Sequence, residues 1–77
     1  MSKSTYIVVV IQEGRERDYS DFEKRGININ AFGEQLHSGL LSFNVEVEAK
    51  NKQEAVSLVR KMHPGLSIDT DATQRLG

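Results

Sequence analysis

With 77 residues, 38% of them hydrophobic, the chain has room for one domain near the lower limit for a self-sufficient core. Ten Lys and Arg against eleven Asp and Glu leave a net charge of −1, without the basic excess on which phosphate-backbone binding usually rests. The absence of cysteine excludes disulfides, thiolate metal sites and thiol nucleophiles.

Residues 1–4 are polar and read as a frayed start. Residues 5–11 (TYIVVVI) are rich in β-branched side chains and read as a strand. Their apolar character is continuous, so both faces of this strand call for cover: Ile7, Val9 and Ile11 on one side, Tyr6, Val8 and Val10 on the other. The run is far short of the roughly 20 apolar residues that cross a bilayer, and no signal-peptide pattern precedes it, so the expectation is a soluble cytoplasmic protein without membrane contact.

Gly14 ends the strand, and Arg15, Glu16, Arg17 and Asp18 read as a charged turn. Ser20 to Glu23 has capping-box spacing, and Gly26 suits the position just past a single helical turn ending at Arg25. Residues 27–38 carry two patterns. Ile27, Ile29 and Ala31 alternate with asparagines as in a strand. Ile29, Phe32 and Leu36 share a helical stripe, with Asn30 as N-cap and Gly39 beyond the end. The second pattern favours a short helix over 31–38.

The clearest stretch follows. Leu41, Phe43, Val45, Val47 and Ala49 alternate strictly with Ser42, Asn44, Glu46 and Glu48, which is a strand with one apolar face. From Asn51 the period becomes helical, with Ala55, Leu58, Val59 and Met62 on one stripe. Asn51 can cap this helix, Glu54 can reach back in a capping box, and His63-Pro64-Gly65 stops it. Residues 66–68 are long enough for a brief strand, and 70–77 read as an irregular tail. The whole predicts a single α+β domain over 1–77. A small, mainly antiparallel sheet of about three strands is packed by one main amphipathic helix, with one or two short helices in the connector after the first strand.

Chemistry-bearing patterns are missing from the residues. His37 and His63 lack ligand spacing, and Asp69-Thr70-Asp71 lacks the glycine and closing glutamate of a calcium loop. Glu46 and Glu48 fit a solvated strand face better than an acid–base pair. No nucleophile elbow surrounds a serine, and the glycines are dispersed. The expectation is therefore no catalytic residue, no metal and no cofactor.

Two functional readings follow. The favoured one is a non-catalytic protein-interaction module, a small accessory or inhibitor protein of the kind phages and mobile elements encode, which binds a partner protein or a second copy of itself. If Ile7, Val9 and Ile11 pack against the main helix, the Tyr6, Val8 and Val10 face needs cover from the connector or from a second copy of the chain. The connector is favoured, and Tyr6, Val8, Val10, Phe22, Ile27 and Phe32 form the candidate contact patch that remains. The alternative is nucleic-acid binding through Arg15, Arg17, Lys24 and Arg25. Interleaved Glu16, Asp18, Asp21 and Glu23 largely neutralise that cluster, so this reading is not favoured.

Overall fold

A computed structural model describes residues 3–76, and expectations for Met1, Ser2 and Gly77 lie outside the described residues. Strand β1 (Ser4–Ile11) sits at the centre of a three-stranded sheet, between β2 (Ser42–Ala49) and β3 (Ile68–Arg75), and pairs antiparallel with both. Helix α3 (Lys52–Met62) packs on one face of this sheet, while α1 (Glu16–Arg25) and the four-residue α2 (Ser38–Leu41) occupy the β1–β2 connector. This is the small α+β architecture that the strand and helix periods predict.

The register of β1 against β2 decides which face of β1 is core. Tyr6 lies opposite Val47, Val8 opposite Val45 and Val10 opposite Phe43. Opposed side chains share a face, so the apolar row of β2 and the even-numbered row of β1 form one surface under α3. Tyr6, Val8, Val10, Ala49, Ala55 and Val59 are buried together there, with Phe43, Val45, Val47, Leu66 and Ile68 packed around them. This corrects the expectation that Tyr6, Val8 and Val10 belong to a contact surface: they are the core.

Ile11, on the opposite face, enters a second buried cluster with Tyr19, Leu36 and Leu41, against which Val9, Phe22 and Leu40 pack. Ile7 and Val9 remain half-buried over an open hollow of about 310 Å³. Two clusters in place of one suit the elongated form of the molecule. Its radius of gyration is 13.6 Å, against roughly 11.5 Å for a compact chain of this length.

Helix α3 begins as its sequence predicts. The Asn51 side chain accepts a hydrogen bond from the Glu54 N–H at 2.8 Å. The Glu54 carboxylate accepts from Lys50 N–H at 3.2 Å, one residue earlier than a standard capping box would have it. The buried stripe is Ala55, Val56 and Val59. Leu58 and Met62, expected on that stripe, are 36% and 55% exposed. A groove of about 520 Å³ between the Val56 flank and Thr70 is lined by Lys52, Gln53, Ser57 and Arg60.

Three further expectations are corrected. Residues 16–25 form one ten-residue helix where a charged turn and a single helical turn were predicted. Its end is as expected: Gly26 takes φ 68°, and the N–H groups of Gly26 and Ile27 converge on the Asp21 carbonyl. No helix forms over 31–38; those residues belong mainly to a hairpin, and Leu41 closes α2 instead of opening β2. Residues 70–75 are strand, not tail, although β3 is interrupted. Its pairing with β1 jumps from Gln74 opposite Ile7 to Asp69 opposite Val9, so the intervening residues bow out in a bulge. Among the described residues, no helix is long and apolar enough to cross a membrane.

Candidate interaction site

Between α1 and α2 the chain turns back on itself. Ile29 and Gln35 form an antiparallel bridge, Leu36 N–H donates to Asn28 O at 2.7 Å, and Asn30 N–H donates to Glu34 O at 3.0 Å. The tip is Asn30-Ala31-Phe32-Gly33, closed by Gly33 N–H donating to Asn30 O at 3.0 Å. Asparagine at the first position and glycine at the fourth are the residues that this turn favours, and Gly33 has φ 80°, where a side chain would be strained.

Asn30 also braces the tip from within. Its Oδ1 accepts from Phe32 N–H at 3.0 Å and from Glu34 N–H at 2.9 Å. Its Nδ2 donates to Glu34 Oε1 at 3.0 Å and to Asp18 Oδ2 at 3.4 Å. Arg15 completes the brace from the start of α1. Its Nη1 and Nη2 donate to Glu34 Oε1 and Oε2 at 2.6 and 3.2 Å, and Nη1 also reaches Asp18 Oδ2 at 3.0 Å. Two parallel bonds between guanidinium and carboxylate fix orientation as well as distance. They hold the Glu34 carboxyl below the usual range, with Asn30 adding to the effect. At the base of the hairpin, Leu36 is buried in the second cluster.

This frame presents one large side chain at its tip, with Ile29, 57% exposed, earlier in the same hairpin. Phe32 is 94% exposed. A lone apolar residue at a surface is ordinary. What distinguishes Phe32 is its seat on a backbone fixed by Asn30 side-chain bonds to its own N–H and to that of Glu34, while it contributes almost nothing to the core.

The other residues singled out in the sequence are dispersed. Phe22 packs against the second cluster, and Ile27 is half-buried after the α1 cap. Arg15 is engaged by Glu34 and Asp18, and Arg25 pairs with Asp21 at 3.3 Å. Arg17 is exposed on α1, and Lys24 borders a hollow that also contains Glu16, Asp69 and Asp71. These four cations do not make a continuous basic surface. Of the histidines, His63 packs edge-on to the Phe43 ring at 5.1 Å, and His37 is exposed before α2. Hydrophobic periodicity does not point to Asn30, Glu34 and Asp18 as a unit, although they build the brace. The Asn-x-x-Gly turn signature was the available signal. Comparison of this chain with protein-family models, curated proteins and solved structures finds no match.

Proposed function

We propose that this protein is a non-catalytic interaction module that binds a partner protein through the tip of hairpin 28–36, with Phe32 as the inserted side chain. The observation that carries this reading is the near-complete exposure of Phe32 on a braced turn. A loop already fixed in the free protein loses little conformational entropy on binding. Fully burying one phenylalanine contributes roughly 1.5–3 kcal/mol, the size of a binding hot spot. Such a module acts by occupying its partner's surface, as an accessory or inhibitory protein does.

Site-specific photocrosslinking tests this. With benzoylphenylalanine in place of Phe32, a discrete adduct is expected in lysate of the native host, and none with the same probe in place of Gln53. Unlabelled wild-type protein should compete the adduct away and Phe32→Ala should not. Equal labelling from both positions, or equal competition by Phe32→Ala, overturns the reading. A salt-sensitive gel shift with nucleic acid that Arg17→Gln and Lys24→Gln abolish would favour the phosphate-binding alternative instead.

A further inference from the structure

The two edges of the sheet differ. The β3 edge is broken by its bulge, a device that blunts pairing with another strand. The β2 edge has no bulge and runs in unbroken register from Ser42 to Ala49.

The direction of its peptide groups follows from one bond. Gln12 N–H donates to Leu41 O at 2.9 Å, continuing the ladder in which Ile11 lies opposite Ser42. In an antiparallel pair such bonding residues alternate with non-bonding ones. The peptide groups of Phe43, Val45 and Val47 therefore turn inward to β1, and those of Asn44, Glu46 and Glu48 turn outward. Bonds on the other side of β1 agree with this parity, since Ile11 N–H donates to Ser67 O and Thr5 O accepts from Leu76 N–H. Among the described residues, no backbone or side-chain group from outside the sheet bonds the backbone of Asn44, Glu46 or Glu48.

A second observation lies on α3. Val56, Gln53 and Arg60 border the groove toward Thr70 of β3. Leu58 is two positions from Val56, about 200° around the helix, and so lies on the flank toward β2. Met62 follows one turn later on that flank. These are the large apolar side chains that α3 leaves exposed.

We propose that two copies of this chain associate through β2, antiparallel, about a two-fold axis at Val45, forming one continuous six-stranded sheet. In this register Val45 faces Val45 of the second copy, and Phe43 faces Val47, extending the half-buried apolar row under α3. On the opposite face Asn44 lies against Glu46, and Ser42 against Glu48, so each carboxylate meets an uncharged polar side chain. An axis at Glu46 would set that carboxylate against itself, which opposes pairing. An axis nearer Ser42 would run the second strand into α2. The Val45 register allows about six new backbone hydrogen bonds. It also places both α3 helices on the same face, with their Leu58 and Met62 flanks toward each other across the axis. This assembly is independent of the hairpin tip and of what Phe32 binds.

Because the chain has no cysteine, a single introduced thiol reports the register. Opposed residues at a non-bonded antiparallel position have Cα atoms about 4.5 Å apart, within disulfide reach. Wild type is expected to sediment as a dimer at about 100 μM, and Val45→Cys to cross-link faster than Glu46→Cys by about tenfold or more. An equimolar mixture of Asn44→Cys and Glu46→Cys should form the mixed disulfide in preference to either homodimer. Asn44→Pro, which removes an outward N–H and leaves the β1 ladder intact, should give a folded monomer. A wild-type monomer at that concentration, or equal cross-linking from positions 45 and 46, overturns the proposal. If Val45→Cys fails to fold, the exposed 44/46 pair decides alone, and loss of the mixed disulfide's preference then overturns it.

Discussion

The Tyr19 hydroxyl donates to the Asp69 carboxylate at 2.7 Å and ties the middle of α1 to the start of β3 across 50 positions of sequence. Burial pushes the phenol upward from its ordinary pKa, and the neighbouring Asp69 adds to the shift. The neutral phenol is thus favoured in the fold. Its stabilisation is complete below the unfolded value near pH 10 and is lost as pH rises toward the raised folded value, because the unfolded chain releases that proton first.

Tyr19→Phe should cost roughly 1–3 kcal/mol at neutral pH, the worth of a hydrogen bond to a charged acceptor. The loss should be moderated because Asp69 Oδ1 keeps the Ala72 N–H. Above pH 10 the wild type should lose stability more steeply than the variant, so that denaturant melts of the two converge. Parallel curves would show that the phenol–carboxylate bond does not set the alkaline limb.

Neighbouring residues of β1 should respond oppositely to the same charge. Val8 is fully buried beneath α3, whereas Ile7 is half-buried on the open face opposite Glu46. Val8→Lys places an ammonium in the core and should unfold the domain. Ile7→Lys can reach water and the Glu46 carboxylate, and should cost no more than about 2 kcal/mol. Circular dichroism and urea melts read both. Equal damage would mean that the sheet faces are assigned wrongly.

The hairpin brace should loosen in acid. The Glu34 carboxyl titrates below its ordinary range chiefly because Arg15 bonds it. Its stabilising effect is therefore present above the unfolded glutamate value and is lost as pH falls through the lowered folded one. Arg15→Gln should move the Glu34 midpoint back up in an NMR titration. It should also speed amide exchange at Phe32 and Glu34 and leave Val8 unchanged. An unmoved midpoint would show that the ion pair is not what holds the turn.

The elements legible in the sequence are those whose period is set by a single buried face. β2 presents one apolar row, and Asn51 marks the start of α3 with its own side-chain bond, although the buried stripe of α3 takes in Val56 in place of Leu58 and Met62. β1 was legible as a strand but not as an oriented one. Apolar residues on both sides leave the choice of face to the register with β2. β3 is legible only at its start, near Ile68, because Thr73 is its one buried residue and its bulge breaks the alternation. At the candidate site, Ile29, Phe32 and Leu36 mimic a helical stripe. Only Leu36 is buried, and the local geometry is set by the polar Asn30 and the left-handed Gly33. Asn30 and Gly33 act by hydrogen bonding and backbone freedom, which hydrophobic periodicity does not register.

The central place of β1 has a kinetic consequence. Its partners arrive late: Ser4 pairs with Ala49, and Tyr6 with Arg75. Closing such long loops precedes any gain from the strand contacts, so folding should be slow for a chain of this size. During synthesis the segment IVVVI precedes both of its partner strands and stays unpaired until they emerge, with apolar side chains on both faces and no charge. That interval is when this protein is most exposed to aggregation and most dependent on chaperones.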